Sequence, residues 1–227
     1  MKAVLLVSGG LDSTTCLAIA REQDFDLYAL TINYGQRHDH ELNSAKMVVD
    51  FYSIQDHSII DIDLRQFGGS ALTDQIDVPK NRDPSEMVDI PATYVPARNT
   101  VFLSLALAWA ETLGSSDIFI GVNALDYSGY PDCRPEYYEK MRESLCYGSK
   151  LWAQYKVPMH IETPIIHLSK AQIVEMAMEL KVPLQHTWSC YQGNEHPCRV
   201  CDSCVLRAKG FSEAGFQDPL SICQDVG

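Results

Sequence analysis

Ala3-Val4-Leu5-Leu6-Val7-Ser8-Gly9-Gly10-Leu11-Asp12-Ser13-Thr14-Thr15-Cys16-Leu17-Ala18 runs from an apolar strand through a glycine turn into a helix. That order makes a cradle for phosphate. Two glycines let backbone N–H groups approach phosphate oxygens with no Cβ in the way. The hydroxyls of Ser8 and Ser13 can donate to the same oxygens. A helix starting near Asp12 or Ser13 points its positive end at them. Asp12 is an acid placed among anions, which is tolerable if it caps the helix or holds a magnesium ion bridging the phosphates. No Gly-Lys-Ser/Thr follows, so the turn is not a Walker A loop, and it lacks the Gly-x-Gly-x-x-Gly dinucleotide fingerprint.

Beyond this stretch, apolar β-rich runs alternate with helical patterns. Strands are expected at Ala3–Val7, Leu27–Ile32, Ser58–Ile62, Ile118–Val122 and His160–Thr163. Helices are expected at Ser13–Glu22, Glu41–Phe51, Thr100–Thr112, Glu136–Trp152 and Lys170–Leu180. The alternation predicts an α/β fold with a Rossmann-like parallel sheet and helices on both faces. Ligands in such sheets bind beyond the carboxyl ends of strands, where Ser8, Asn33 and Asn123 fall. Residues 65–96 form a long polar stretch rich in Asp, Pro and Gly, of a length usual for a lid, a binding loop or a disordered segment.

The chain has 227 residues, 46% hydrophobic and 21% charged, as expected of a water-soluble globular protein. No run approaches the ~20 apolar residues of a membrane span. The apolar stretch after Lys2 is too short for a signal peptide and is broken by Ser8-Gly9-Gly10 and Asp12. Both features point to the cytoplasm and away from a membrane. The net charge is −12. A chain that grips a nucleic acid directly needs a basic face. No Lys/Arg run is present, so a small-molecule substrate is favoured over RNA.

Eight cysteines are present, and Cys190, Cys198, Cys201 and Cys204 cluster as C-x7-C-x2-C-x2-C. In a cytoplasmic chain this spacing reads as a metal site rather than disulfides. Four thiolates suit a closed, structural zinc ion, one per chain. An iron–sulfur cluster is the alternative, though the cysteine-proline of the bacterial ferredoxin run is missing. His186 and His196 lie close enough to substitute as ligands. The zinc is expected to staple residues 205–215 against the sheet. Cys16, Cys133 and Cys146 read as incidental thiols. A boundary near His186 divides the chain into a domain carrying the phosphate loop, 1–185, and a C-terminal zinc-binding segment, 186–227.

The Ser8–Ala18 loop resembles the SGGxDS loop of the PP-loop ATP pyrophosphatases, which cleave ATP between the α and β phosphates and pass AMP to a substrate oxygen. Further segments resemble one family among them, the 7-cyano-7-deazaguanine synthases. They are Asn33-Tyr34-Gly35-Gln36-Arg37-His38 with Glu41-Leu42, then Val95-Pro96-Ala97-Arg98-Asn99. Asp126-Tyr127-Ser128-Gly129-Tyr130-Pro131-Asp132-Cys133-Arg134 follows, then Leu168-Ser169-Lys170-Ala171, and Ser189-Cys190-Tyr191 through Leu206-Arg207. The resemblance covers nearly the whole chain. Three positions depart from the family's pattern. Ala97 and Arg199 stand where glycine is common, and Gln172 stands where an acid is common.

The resemblance implies a PP-loop (adenine nucleotide α-hydrolase-like) fold and ATP-dependent conversion of 7-carboxy-7-deazaguanine and ammonia to 7-cyano-7-deazaguanine, through an adenylated carboxylate and an amide, in queuosine biosynthesis. It also implies a homodimer. ATP with Mg²⁺ is the co-substrate. Residues 8–18, from Ser8 to Ala18, hold ATP. Asp12, Ser13, Arg37, Arg98 and Lys170 are the candidate catalytic groups, with Arg37 and Arg98 as fixed cations for phosphate charge. Lys170 follows Ser169, an expected N-cap. A cation at a helix start opposes the dipole, which points to an anion nearby. Asp126 or Asp132 is expected to read the N1–H and 2-amino edge of the deazaguanine, with Tyr127 or Tyr130 stacked on it. The chain carries no glutaminase, so ammonia must come from outside it. Two other readings fit the loop: a PP-loop tRNA thiolase with an iron–sulfur cluster, and an ATP-binding sensor without chemistry.

Overall fold

The computed structural model describes residues 1–83, 89–125 and 129–222. Asp126 and Tyr127 lie outside the described residues. Five parallel strands build the sheet: β1 (Lys2–Leu6), β2 (Asp26–Asn33), β3 (His57–Asp61), β4 (Asp117–Ile120) and β5 (His160–Glu162), in the order β3-β2-β1-β4-β5. All five fall where the apolar runs place them. Eight helices complete the described residues: α1 (Leu11–Glu22), α2 (His40–Phe51), α3 (Arg98–Leu113), α4 (Pro135–Gly148), α5 (Lys150–Tyr155), α6 (Lys170–Glu179), α7 (Asp202–Glu213) and α8 (Pro219–Ile222).

Alternation along the strands sorts the core into two faces. Val4 and Leu6 of β1, Leu30 and Ile32 of β2 and Ile118 and Ile120 of β4 pack under α3 and α4. Ala3, Leu5, Val7, Leu27, Ala29 and Phe119 point the other way, onto Cys16, Leu17 and Ala20 of α1 and Ala45, Val48 and Val49 of α2. Both faces are covered, as a parallel sheet requires.

Three expectations change. The helix expected at Glu136–Trp152 is two helices. At the junction Ser149 is extended (φ −91°, ψ 148°), and its side chain accepts from Trp152 N–H at 3.2 Å. A serine that caps a new helix competes with continuing the old one. The second change concerns residues 205–215, expected against the sheet. They belong to α7, which packs on the outer helix layer: Phe211 is buried among Leu11 and Ala18 of α1 and Ile173, Val174 and Ala177 of α6. Both sheet faces were already taken.

Third, the long stretch after Leu64 is a packed strap over its described part. Ala71 and Val78 are buried against Trp188, Cys190, Cys201 and Cys204. Lys80 pairs with Cys201 in an antiparallel bridge, and Asn81 N–H donates to Val200 O at 2.7 Å. Arg82 pairs with the buried carboxylate of Asp202 at 3.3 Å.

Candidate functional site

Strand order reverses between β1 and β4, and this switch point is where open α/β sheets bind ligands. The segment after β1 is Val7-Ser8-Gly9-Gly10, and the segment after β4 begins at Gly121. A Cβ on Gly121 would lie 2.6 Å from Ser13 Cα and 2.7 Å from Asp12 O. Only glycine lets the two segments meet. Gly9 has φ +76°, and a Cβ there would lie 2.7 Å from Glu41 O in the first turn of α2. Gly10 differs, with φ −81° and its nearest neighbour, Ser8 Oγ, at 3.4 Å. The two glycines therefore differ: Gly9 is demanded by its backbone and by α2, whereas a Cβ on Gly10 would meet Ser8 Oγ and Trp188 O only at ordinary contact distance, 3.4 and 3.5 Å.

Within the loop, Ser8 and Ser13 hydroxyls share a 2.9 Å hydrogen bond, and Ser8 N–H donates to Ser13 Oγ at 3.2 Å. Thr14 Oγ1 donates to Gly10 O at 2.7 Å. These bonds fix the turn. No side chain caps α1, whose N-cap is Gly10. Its first-turn N–H groups are left for a ligand. Asp12 sits inside the first turn and does not cap it. Lys170 Nζ instead donates to Asp12 Oδ1 and Oδ2 at 2.7 and 2.9 Å. The anion expected near Lys170 is thus Asp12. Ser169 caps α6 as expected, and Gln172 Oε1 returns the bond by accepting from Ser169 N–H at 2.8 Å. The amide closes the capping box where the family more often has an acid.

Two adjoining cavities open on this loop. The larger, about 230 Å³, is lined by Ser8, Gly10–Ser13, Tyr130, Cys133 and Lys170, and by Tyr191, Leu206 and Arg207 of the C-terminal segment. The smaller, about 160 Å³, runs under β1 and β2, with Leu30, Ile32, Tyr34, Leu72 and Phe102 on its walls. Ser8, Ser13, Glu41 and Arg98 line both. The Arg98 guanidinium lies 5.9 Å from the rings of Tyr34 and Phe102. Burial works against its charge. Tyr34, Tyr130, Asp132 and Cys133 outweigh burial and hold its pKa above the ordinary value.

The SGYPDCR stretch contributes to these walls unevenly. Tyr130 lines the larger cavity, with its hydroxyl 2.8 Å from Thr93 Oγ1. Asp132 is turned away. It is 5% exposed, and its carboxylate accepts from Asn99 N–H at 3.2 Å while its carbonyl accepts from Asn99 Nδ2 at 3.1 Å. The reason is local: the N-cap of α3 is Ala97, which has no side chain to offer, so Asp132 satisfies an orphan N–H of the first turn. Burial, with Asp132 beside it, pushes the Cys133 thiol up to about 12, so it is no nucleophile. Arg37 is elsewhere. Its guanidinium donates to Ala71 O at 2.6 Å and Asp74 O at 3.1 Å, holding the strap rather than facing the cavity.

Sequence reading assigned no role to Glu41 or Arg207, yet both line the larger cavity. Arg207 is 5% exposed and clamps Asp218 bidentately at 2.7 and 3.0 Å. Glu41 stands in the first turn of α2, where a helix N-terminus favours a carboxylate, but burial outweighs that and raises its pKa to about 7, with Arg98 opposing. Neither residue has a spacing that separates it from an ordinary surface charge; only the fold brings them to the loop.

The four cysteine sulfurs all lie within 4.8 Å of one another. Sulfurs placed about 2.3 Å from a shared tetrahedral centre sit about 3.8 Å apart, so the set fits a four-thiolate metal ion. Backbone N–H groups of Cys198 and Gln192 donate to Cys190 Sγ at 3.2 and 3.4 Å, and Cys201 N–H donates to Cys198 Sγ at 3.3 Å. The amide bonds to Cys190 Sγ favour its thiolate, the form in which a cysteine ligates a metal. His196 is exposed and His186 sits in the turn Leu184–His186; neither joins the cluster among the described residues.

Residues 2–215 match the sequence profile of the family described as "Queuosine biosynthesis protein QueC". The chain belongs to that family. A 7-cyano-7-deazaguanine synthase from Thermoplasma volcanium is 53% identical over 219 residues, spanning 96% of this chain and 90% of that protein. One from Solidesulfovibrio magneticus is 55% identical over 221 residues, spanning 96% and 94%. Among solved structures, an NMN synthetase from Francisella tularensis superposes with a TM-score of 0.52 at 17% identity, covering 95% of this chain and 77% of that one, which shows a shared fold. No helix among the described residues is long and apolar enough to cross a membrane.

Proposed function

We propose that the chain is an ATP-dependent 7-cyano-7-deazaguanine synthase, converting 7-carboxy-7-deazaguanine and ammonia to the nitrile. The observation that carries the reading is the pair of cavities meeting at Ser8, Ser13, Glu41 and Arg98. The smaller, apolar cavity takes the adenine of ATP. The larger takes the pyrophosphate and the deazaguanine. That arrangement leaves the α-phosphate and the substrate carboxylate at the junction, where the bonds change.

A carboxylate oxygen is a poor leaving group. Attack of that oxygen on the α-phosphate gives an acyl adenylate, with pyrophosphate leaving. Ammonia then adds and AMP departs, leaving the amide. Activation of the amide oxygen in the same way, followed by loss of AMP and of N–H protons, gives the nitrile. The uncapped first turn of α1, with Ser8, Gly9, Gly10 and Ser13, holds the pyrophosphate. Arg98 stabilises charge developing on the α-phosphate, its guanidinium already lying 5.9 Å from the rings of Tyr34 and Phe102. Lys170 approaches the phosphates from its seat on Asp12. Asp12, paired with Lys170 and standing in the first turn of α1, would also hold Mg²⁺, which would supply charge neutralisation at the phosphates. Tyr130 offers a ring for the deazaguanine to stack on.

Zinc is proposed at Cys190, Cys198, Cys201 and Cys204. Four thiolates leave no open position for substrate, so its contribution is structural. Further proposals are the division of the chain near residue 185, a homodimer, ammonia supplied from solution or by another protein, and a place in the cytoplasm.

The test is direct. Purified protein, ATP, MgCl₂, ammonium chloride and 7-carboxy-7-deazaguanine should yield the nitrile by mass spectrometry, with AMP and pyrophosphate formed. ATP binding without any adenylation of the acid would overturn the proposal in favour of a sensor. One zinc per chain in a colourless protein is expected; a brown protein that bleaches in air would favour a cluster-bearing thiolase.

A further inference from the structure

Glu41 is the one carboxylate that borders both cavities among the described residues, at the junction assigned above to the reacting carbon. Its backbone abuts Gly9 of the loop, so the first turn of α2 and the phosphate cradle are held together as one unit. The neighbouring acid of the site, Asp12, is already bonded to Lys170. No described residue donates a hydrogen bond to the Glu41 carboxylate. Arg98 attracts it without reaching salt-bridge distance.

We propose that Glu41 is the general base for the nitrogen in both stages of the reaction, an inference that rests on the synthase reading above. Ammonium is the form of ammonia that dominates near neutral pH, and it has no lone pair. It must give up one proton before attacking the acyl carbon and a second once the C–N bond has formed, while AMP leaves with the C–O electron pair. In the second stage an amide N–H proton leaves as the amide oxygen attacks the α-phosphate. The last N–H proton leaves as the C–O bond breaks and the nitrile forms. Glu41 takes these protons one at a time and passes each to water in the open cavity. Only a base near neutrality can both accept and release them at working pH, and burial holds the Glu41 carboxyl at about 7.

The groups facing Glu41 do not supply an alternative base. Arg98 and Tyr34 interact with it electrostatically, and both have pKa values raised above their ordinary range. Across the larger cavity lie the Asp12–Lys170 and Arg207–Asp218 pairs, the phenols of Tyr130 and Tyr191, and the raised thiol of Cys133.

The experiment compares wild type, Glu41→Gln and Glu41→Asp in three assays. Carboxylate-dependent exchange of labelled pyrophosphate into ATP, run without ammonia, reads adenylation alone. It should stay within about threefold in Glu41→Gln. Amide and nitrile formation from ammonium should fall about 10²-fold or more. Hydroxylamine, largely unprotonated at neutral pH, should restore product formation, as the hydroxamate, to within about tenfold of wild type. Glu41→Asp should keep part of the ammonium reaction. With free ammonia held constant, the wild-type rate should decline below a pH near 7, and Glu41→Gln should lack that limb. Loss of exchange together with product would show that Glu41 shapes the site without acting as base, and would overturn the inference. So would unchanged nitrile formation in Glu41→Gln. Absence of exchange in the wild type would instead overturn the synthase reading itself.

Discussion

Replacing Gly9 and Gly10 by alanine, one at a time, should separate folding from ligand binding within two adjacent residues. Gly9 has φ +76°, so alanine there costs about 1–2 kcal/mol in backbone energy, partly offset by about 0.4–1 kcal/mol from a stiffer unfolded chain. Its Cβ would also lie 2.7 Å from both Glu41 O and Ser44 Cβ, and these belong to a helix that cannot yield at one atom alone. Overpacking of this kind costs about 1–3 kcal/mol. The sum for Gly9→Ala is about 2–4 kcal/mol, a fall in Tm of about 5–15 °C for a chain of this size. Gly10 has φ −81° and no neighbour closer than 3.4 Å. Alanine at an N-cap loses a few tenths to about 1 kcal/mol and gains a similar amount through the unfolded state, so Tm should move by about 2 °C or less. Since Gly10 lines the larger cavity, Gly10→Ala should weaken ATP binding at nearly full stability. Differential scanning fluorimetry with and without Mg-ATP measures both. Equal melting of Gly9→Ala and wild type would refute the argument, as would a Gly10→Ala protein that melts as early as Gly9→Ala.

Three other outcomes are expected. Ala97 (φ 55°) and Arg199 (φ 63°) hold left-handed backbone without being glycine, so Ala97→Gly and Arg199→Gly should each raise stability by about 0.5–1 kcal/mol in urea unfolding; a loss would show that their side chains hold more than the backbone costs. Stripping the metal should free the strap, because Lys80 pairs with Cys201 and Arg82 with Asp202, so trypsin should cut at Lys80 or Arg82 faster after chelation; an unchanged cleavage rate would mean the strap is held independently. Glu41 has a folded pKa raised to about 7, so it binds more protons folded than unfolded between about pH 4.5 and 7. Its contribution is full below that window and is lost as pH rises through it. Glu41→Gln should therefore remove up to about 3 kcal/mol of pH-dependent destabilisation and melt later than wild type at pH 8; a variant that tracks wild type across the window would contradict the burial argument.

The central strands β1, β2 and β4 are readable as apolar runs because a parallel sheet buries both of their faces, whereas the edge strands β3 and β5 are short and half polar. Helix α7 is hard to see in the sequence because it begins within the cysteine cluster: Asp202 and Cys204 occupy its first turn, and the cysteine spacing points to a metal site rather than to a helix. The cavity was legible in part. Ser8–Ser13, Arg98, Tyr130 and Lys170 line it, and each stood in a motif with a physical reason for being there. Arg37 and Asp132 stood in equally suggestive motifs but are spent on backbone: one on strap carbonyls, the other on the first turn of α3. No local pattern distinguishes a cation aimed at phosphate from one aimed at backbone carbonyls, since both are solutions to unsatisfied acceptors. The departures from the family's pattern were more informative than they looked. Both non-glycine positions fall at positive φ, and Gln172 closes the same capping box an acid would.

The placement of the cysteine cluster changes what a structural metal means in this chain. A staple for the C-terminal segment alone would leave the phosphate loop untouched. Here Trp188 N–H donates to Gly9 O at 2.9 Å, and Cys190, two residues on, is the first of the four cysteines that could hold a metal ion. Trp188 stacks on His40, which begins α2 one residue before Glu41, with ring centroids 4.3 Å apart. The His38 ring, whose Nε2 is 2.9 Å from Cys190 O, ties the approach to α2 to the same ligand. The segment of the cysteine cluster therefore touches the loop at Gly9 and the first turn of α2 at His40, the two elements that meet at both cavities. Displacing Cys190 must move Trp188, and Trp188 cannot move without releasing either the Gly9 carbonyl or the His40 ring. A metal with no open coordination position can in this way set the geometry of ATP binding through packing and one hydrogen bond. Cys190→Ser should accordingly raise the KM for ATP more than it lowers Tm, whereas Cys198→Ser, on the exposed side of the cluster, should do the reverse.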